Sequence, residues 1–380
     1  MTDKIPVWLD CDPGHDDTFA ILLAAYHPAF RLLGISTAWG NASLEKTTQN
    51  AASILTAIGK AHDIPIYVGA NKALFRPPMH PPTDIHGESG LDGTDLLPKP
   101  TVPPNTTIPA IDATAAALKA EAPGTAWLVA TGSFTNAAAL FLKYPDLAAH
   151  IKGLSLMGGA IGGGFTNAVL GHVEGVARIG NWTQYAEFNI LADPEAAASL
   201  FGNKILAAKT TLIPLDLSHQ VLATEEVRDL LLYGPQGSRQ EDKEPKSTLR
   251  VMLVELLMFF AKTYTDVFGI TAGPPLHDPL AVAAILSGIS NAEYDIPFYG
   301  FEGTDGERQR ERYGVTVVTE GSYEDAQAGA RTGQTIAKLL PEGEEGVRIP
   351  RGLDIPKFWK ALEECVARAE ANTAAVNGVN

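Results

Sequence analysis

The sequence has few cysteines, no long uncharged apolar run and no excess of basic residues. Its 380 residues include two cysteines, Cys11 and Cys365, which are too few for a disulfide framework and favour a reducing compartment. The chain carries 29 lysines and arginines against 44 acidic residues, a formal net charge of −15. Because nucleic acids and anionic membranes bind basic surfaces, this charge argues against both as partners.

From the sequence we expect neither a targeting segment nor a membrane-spanning segment. Its first residues lack the apolar core of a signal peptide. The most apolar helical run, residues 251–261, is short and is interrupted by Glu255. We therefore expect a cytoplasmic protein with no membrane partner.

Short β-rich runs alternate with Ala- and Leu-rich helical runs along most of the chain. The predicted strands lie at residues 5–10, 31–38, 64–68, 126–130, 151–157 and 205–213. Helices are predicted at residues 17–26, 43–58, 111–120, 136–143, 194–201, 224–233, 249–268, 278–286 and 354–375. This rhythm predicts an α/β fold with an open, mostly parallel central sheet flanked by helices. We expect one domain over residues 1–380, with a C-terminal extension from about residue 290.

A cluster of carboxylates follows the first predicted strand. Four aspartates lie within eight residues: Asp10, Asp12, Asp16 and Asp17. In an open α/β sheet, ligands bind at the carboxyl ends of the strands. Neighbouring carboxylates repel one another by about 1 kcal/mol per close pair in water, and several-fold more beside an apolar core. A hard cation relieves that repulsion, and an all-oxygen set of ligands suits Ca²⁺ or Mg²⁺.

Other interpretations of the cluster stay open at this point. One or two of the aspartates are explained by the stabilisation that an acidic residue gives to a helix N-terminus. An Asp-x-Asp pair after a first strand also resembles Mg²⁺-dependent phosphohydrolases, in which the first aspartate, here Asp10, would attack phosphorus. A third alternative is a catalytically inert protein that binds ribose or a nucleoside.

The segment Asp10-Cys-Asp-Pro-Gly-His-Asp-Asp17 resembles the N-terminal motif of the nucleoside hydrolases of the inosine–uridine-preferring type. Further matching segments follow in order: Trp39-Gly-Asn41, Ile85-His-Gly-Glu-Ser-Gly90, Ala130-Thr-Gly-Ser-Phe-Thr-Asn136, Ala186-Glu-Phe-Asn189 and Leu276-His-Asp-Pro279. The resemblance covers about residues 5–290. It implies a Rossmann-like nucleoside hydrolase fold, a homodimer or homotetramer, and hydrolysis of the N-glycosidic bond of ribonucleosides such as uridine and inosine.

The resemblance also implies a metal centre and two catalytic groups. A Ca²⁺ ion would be held by Asp12, Asp17, Asp278 and the backbone carbonyl of Thr131, with water and the ribose 2′- and 3′-hydroxyls completing the shell. Asp16 would be the general base that activates a Ca²⁺-bound water. His277 would donate a proton to the leaving base.

The remaining implied contacts concern the nucleoside. The substrate-binding residues are Asn41, His86, Asn181, Glu187, Asn189, Tyr264 and Asp278. Of these, His86 and Tyr264 are expected beside the nucleobase and the others around the ribose or the metal shell. The alternation of Glu187 and Asn189 is typical of a strand and predicts that both point to one side. The loop at residues 160–180 is longer than expected for the family, and we expect it at the 5′ side of the ribose.

Overall fold

A central sheet of six parallel strands organises the protein. The computed structural model describes residues 4–79, 81, 83–173, 175–235, 244–245, 247–301 and 310–377. The sheet strands are β1 (Ile5–Cys11), β2 (Phe30–Thr37), β3 (Ile66–Val68), β4 (Trp127–Ala130), β5 (Gly153–Met157) and β8 (Thr210–Ile213). Their order is β3-β2-β1-β4-β5-β8, and every neighbouring pair is parallel. The predicted fold class is confirmed.

Helices cover both faces of this sheet. The helices are α1 (His15–Tyr26), α2 (Leu44–Ala57), α3 (Thr83–His86), α4 (Ala110–Ala120), α5 (Thr135–Lys143), α6 (Leu147–His150), α7 (Phe188–Ala192), α8 (Pro194–Gly202), α9 (Lys204–Ala207), α10 (Leu215–Ser218), α11 (Glu225–Tyr233), α12 (Thr248–Phe259), α13 (Ala261–Phe268), α14 (Asp278–Ala283), α15 (Tyr323–Gln327) and α16 (Ile355–Asn377). Among the described residues, no helix combines the length and apolar character that a bilayer crossing requires.

The sequence of β1 suits the middle of the sheet. From the second residue of this strand onward every side chain is buried, as expected for a parallel strand covered on both faces. The chain runs outward from β1 through β2 and β3 on one side, and through β4, β5 and β8 on the other. A crevice therefore opens between the carboxyl ends of β1 and β4, where this order reverses. Asp12 and Thr131 directly follow these two strands.

Two element predictions are wrong in part. The strand predicted at 205–213 begins only at Thr210, because the side chain of Asn203 accepts hydrogen bonds from Ile205 N and Leu206 N and starts the helical turn α9. The helix predicted at 249–268 is interrupted at Phe260, where α12 ends and α13 begins.

The chain after residue 290 adds small antiparallel pairs and the terminal helix. These strands are β9 (Phe298–Tyr299), β10 (Tyr313–Val317), β11 (Thr335–Leu339) and β12 (Gly352–Leu353), with β9 paired to β12 and β10 to β11. A further hairpin, β6 (His172–Val173) and β7 (Val176–Ala177), lies in the loop before α7. Helix α16 packs on α1, and its Phe358, Leu362 and Cys365 belong to the same apolar cluster as Phe19.

Candidate active site

The turn after β1 brings the clustered aspartates to the start of α1. Gly14 is the residue before the helix, and its backbone N–H donates to Asp17 Oδ2 at 2.9 Å. The other oxygen of Asp17 accepts from Thr131 Oγ1 at 2.9 Å, which links the turn to the end of β4. All of α1 from His15 to Ala24 is buried, so the two helix aspartates, Asp16 and Asp17, are withdrawn from solvent.

Asp278, far along the chain, converges on these aspartates. It is the first residue of α14, which packs against α1. Carboxylate oxygens of Asp16, Asp17 and Asp278 lie within 4.8 Å of one another, and all three residues are buried. Three carboxylates at this spacing are an oxygen-ligand set suited to a hard divalent cation.

Asp12 lies beside this cluster with one oxygen left over. Its Oδ2 accepts from Asn41 N at 2.8 Å. Its buried Oδ1 has no hydrogen-bond partner among the residues that the structure describes. A buried carboxylate oxygen without a donor is costly, and a cation would satisfy it. We expected Asp12, Asp17 and Asp278 as the carboxylate ligands of the metal. The three carboxylates that lie within 4.8 Å of one another instead include Asp16 in place of Asp12.

The acidic groups in this crevice are hard to ionise together. Burial, with the charge of Asp17 next in importance, raises the pKa of Asp16 to about 7 and the pKa of Asp12 well above its ordinary value. Burial and then the charge of Asp16 raise the pKa of Asp278 in the same direction. Since a bound cation favours the ionised form of each carboxylate, the arrangement fits a divalent metal.

Asp10 belongs to the support beneath the crevice. Its Oδ2 accepts from Ser36 Oγ and, at 2.8 Å, from Asn136 Nδ2, so it joins β1 to β2 and to α5. Burial raises its pKa to about 7. The carboxylate of Asp10 does not line the cavity described next, which disfavours it as a nucleophile towards phosphorus.

A cavity opens above the carboxylates, and several polar side chains converge on it, as in small-molecule sites. Its lining residues are Asp16, Asn41, Ile85, His86, Thr131, Met157, Asn181, Trp182, Glu187, Phe188, Asn189, Phe260, Tyr264, His277 and Asp278. Ten of the sequence-predicted site residues are in this set, and the other two, Asp12 and Asp17, lie buried below it. The lining combines carboxylate and amide groups with aromatic rings.

Glu187 and Asn189 reach the cavity by a different route from the one predicted. The strand-like alternation is wrong: Glu187 is the residue before helix α7, and its carboxylate accepts from Asn189 N and Ile190 N. It also accepts from Gly159 N at 2.8 Å. Asn189 Nδ2 donates to the carbonyl of Thr131 at 2.7 Å, which fixes the orientation of that carbonyl.

His277 lines the cavity, and both of its ring nitrogens are in hydrogen bonds. Its Nδ1 is 2.7 Å from Ser218 Oγ, and its Nε2 is 2.6 Å from the hydroxyl of Tyr264. Burial lowers the pKa of His277 well below its ordinary value, so the ring is neutral at neutral pH. A proton could therefore pass along the Tyr264–His277–Ser218 chain. Sequence reasoning missed Ser218, which stands in no recognisable motif.

Asn181 and the long loop at residues 160–180, which contains Arg178, were both expected near the ribose, but they differ in position. Asn181 lines the cavity, and its Oδ1 accepts from Phe188 N at 2.9 Å. Arg178 is buried outside the lining set, where its Nε donates to Gly180 O and its guanidinium lies 5.0 Å from the ring centre of Phe268. Arg178 therefore ties the long loop to α13.

Substituting Gly40 with alanine is expected to weaken divalent-metal binding roughly 10- to 100-fold, as changes beside metal ligands commonly do. A Cβ at Gly40 would lie 1.9 Å from Asp12 Oδ2, so the carboxylate would have to move. Gly202→Ala is the control, because a Cβ there meets nothing within 4 Å. Calcium titration calorimetry on both variants checks the prediction; unchanged affinity in Gly40→Ala would count against Asp12 as a metal ligand.

Residues 7–360 match the family model described as inosine-uridine preferring nucleoside hydrolase. Over 370 residues the chain is 39% identical to uridine nucleosidase of Saccharomyces cerevisiae, covering 97% of both proteins. It is also 37% identical over 318 residues to a pyrimidine-specific ribonucleoside hydrolase of Shewanella woodyi, covering 82% of this chain and 89% of that protein.

A solved structure shares the fold. The purine-preferring ribonucleoside hydrolase from Gardnerella vaginalis superposes with a TM-score of 0.74, covering 96% of this chain and 99% of that one. The sequence identity of this pair is 24%, so the likeness supports the architecture alone.

Proposed function

The chain belongs to the inosine-uridine preferring nucleoside hydrolase family, and from that premise we propose that it hydrolyses ribonucleosides such as uridine and inosine to the free base and ribose. The observation that carries the proposal is the convergence of Asp16, Asp17 and Asp278 beside a cavity that is lined by polar and aromatic side chains. A ribose diol matches the polar side chains, and a nucleobase matches the aromatic ones.

The metal of this site is proposed to be Ca²⁺, held by Asp12, Asp17, Asp278 and the carbonyl of Thr131. Support comes from the all-oxygen donor set, from the unpartnered Asp12 Oδ1 and from the bond that orients the Thr131 carbonyl. When bound, the ion would polarise a water molecule and grip the vicinal hydroxyls of the ribose.

Asp16 is proposed as the general base that takes a proton from the attacking water. A general base must be ionised to accept the proton; burial raises the pKa of Asp16, and a bound cation would favour its ionised form. The water attacks the anomeric carbon as the bond to the base breaks, in a transition state with positive charge on the sugar ring. Asn41, Asn181, Glu187 and Asn189 are proposed to hold the ribose or the groups that hold the metal.

The departing base needs a proton, and the Tyr264–His277 pair is proposed to supply it. Because His277 is neutral and hydrogen-bonded at both nitrogens, it can pass a proton onward without carrying a stable charge. His86 and Tyr264 are proposed to line the nucleobase end.

His277→Ala is expected to affect purine and pyrimidine nucleosides unequally. Their leaving bases accept a proton at different ring atoms, so the substrate that depends on His277 should lose about 10²–10⁴ in kcat and the other less. Steady-state kinetics on inosine and uridine measure the ratio. His27→Ala, which removes a buried histidine outside the cavity lining, is the control. Equal losses on both substrates would argue against His277 as the leaving-group acid.

The activity itself is tested by reducing-sugar release from uridine and inosine, with Ca²⁺ and after chelation. We expect release with Ca²⁺ and its loss after chelation. No release from any ribonucleoside by Ca²⁺-loaded protein would defeat the proposal. Phosphate release from phosphomonoesters would instead favour a phosphohydrolase, and calorimetric nucleoside binding without turnover would favour an inert binding protein.

We further propose one domain over the whole chain and a cytoplasmic homodimer or homotetramer. The single domain is supported by the apolar cluster that α16 shares with α1. The reducing location is supported by two cysteines that are both free and buried. The oligomer rests on the family resemblance and is checked by light scattering.

A further inference from the structure

His15, inside the aspartate segment, contacts a residue of the cavity wall. Its Nδ1 lies 3.0 Å from Nδ1 of His86, and its Nε2 lies 2.8 Å from the backbone carbonyl oxygen of Asp92. The His15 ring is fully buried and stacks on Phe259 with ring centres 4.9 Å apart. Nothing in the catalytic account above uses this histidine.

The side chain of Asp92 holds in place the loop that carries the Asp92 carbonyl. The Asp92 carboxylate accepts from the backbone N–H groups of Glu88 and Ser89. Directly before α1, Gly14 leaves room for the contact between His15 and His86, because a Cβ at Gly14 would lie 2.8 Å from His86 Nδ1. The hydrogen-bonded loop around Asp92 and the start of α1 therefore fix the two histidines relative to each other.

The hydrogen bonds decide where the protons lie. A backbone carbonyl only accepts, so Nε2 of His15 must carry a hydrogen. The His15 ring contacts Phe259 and Phe260 and hydrogen-bonds no carboxylate among the described residues, so the one N–H on Nε2 accounts for the donor bond of this ring. Nδ1 of His15 then carries a lone pair and can only accept a hydrogen bond. The short contact between the two Nδ1 atoms therefore requires His86 to donate from its own Nδ1.

Burial lowers the pKa of His86 well below its ordinary value, so the ring is neutral and this assignment leaves its Nε2 without a hydrogen. His86 lines the cavity, and none of the described residues is hydrogen-bonded to its Nε2. We propose that His15 is a positioning residue that keeps the proton of His86 on Nδ1, so that His86 presents an acceptor at Nε2 and selects nucleosides that offer a donor there. The donor is either the imide N–H of the base or the 5′-hydroxyl of the ribose. The ligand part of this inference rests on the proposed function, whereas the proton position does not.

The proton position can be measured without substrate. Full-length protein with ¹⁵N-labelled histidine is studied by two-bond ¹H–¹⁵N correlation, which distinguishes the two neutral tautomers, and the His86 signals are assigned by their loss in His86→Gln. We expect the hydrogen of His86 on Nδ1. His15→Phe keeps the ring stack but removes the acceptor, and should shift the tautomer balance. His15→Asn keeps an acceptor near the place of Nδ1 and should restore it.

His150→Phe is the matched control for the tautomer measurement. His150 also hydrogen-bonds backbone carbonyls, those of Leu118 and Glu121. It lies in α6 directly before β5, at the amino end of that strand, whereas the cavity lies at the carboxyl ends of the strands. It should leave the His86 signals unchanged. A hydrogen on Nε2 of His86 in the wild type, or a tautomer unaltered by His15→Phe, would overturn the proposal.

Substrate analogues identify the donor. We compare kcat/KM for uridine, 3-methyluridine, which lacks the imide N–H, and 5′-deoxyuridine, which lacks a hydroxyl. The wild type should disfavour one analogue by roughly 2- to 10-fold, the value of one neutral hydrogen bond. His15→Phe should lose that discrimination, and His15→Asn should keep it. Equal use of all three nucleosides by the wild type would refute the acceptor role. If no nucleoside were cleaved, the proposed function would fail, while the tautomer measurement would still decide the role of His15.

Discussion

Replacing Asp16 with asparagine is expected to lower kcat by about 10²–10⁴, the usual contribution of a general base. Asparagine has nearly the same shape but cannot accept the proton of the attacking water. We expect Ca²⁺ affinity to change little, because Asp12, Asp17 and Asp278 would still hold the ion. Steady-state kinetics and calcium titration calorimetry on the same preparation measure both quantities.

Asp193→Asn is the control for Asp16→Asn. Asp193 is also a buried aspartate, but its carboxylate accepts from Leu74 N, Thr135 Oγ1 and Ala196 N outside the cavity. This variant should keep the wild-type kcat once folded. Near-normal turnover in Asp16→Asn would refute the base assignment, and a large loss of Ca²⁺ affinity would place Asp16 among the metal ligands, as its closeness to Asp17 and Asp278 permits.

Replacing Asp278 with asparagine should produce a different kind of defect. Loss of a charged ligand weakens metal binding, and a bound metal is worth several kcal/mol to a reaction of this type, so activity at low Ca²⁺ should fall by roughly 10³-fold. Added Ca²⁺ should restore part of the activity of Asp278→Asn and none of that of Asp16→Asn.

The calcium dependence of kcat in the two variants separates ligand from base. The variants change buried carboxylates that lie within 4.8 Å of each other, so general damage to the crevice should affect both alike. Identical responses to added Ca²⁺ would contradict the distinct roles given to Asp16 and Asp278.

The sheet and the main site could be predicted because their signals are local. β-rich runs alternate with helical runs, and parallel strands place their carboxyl ends along one edge. Residues that directly follow strands, such as Asp12 after β1 and Thr131 after β4, therefore meet in the crevice. The position of Asp278 came from the family motif, since nothing in the local sequence reveals which helix packs against α1.

Two of the errors arise where one capping side chain outweighs the hydrophobic pattern. The apolar residues after Asn203 were interpreted as a strand, but the Asn203 side chain starts a helical turn. Glu187 and Asn189 have the spacing of a strand, yet the Glu187 carboxylate caps α7 and turns the backbone into a helix. In both cases a single polar residue sets the backbone direction.

The side-chain hydrogen bonds of His277 and His86 depend on tertiary contacts. Ser218 reaches His277 across 59 positions of sequence, and His15 reaches His86 across 71. A serine or histidine at such a position has no periodic or motif signal of its own. These contacts join elements that are far apart in the sequence, and the sequence pattern does not specify which of these elements meet.

A crystal structure of the protein grown with Ca²⁺ tests the central claim most directly. We predict a single ion in the crevice, with oxygens of Asp12, Asp17, Asp278 and the Thr131 carbonyl at about 2.3–2.6 Å and Asp16 outside its protein ligands. A crevice that stays empty at saturating Ca²⁺, or an ion that does not contact Asp278, would contradict the account.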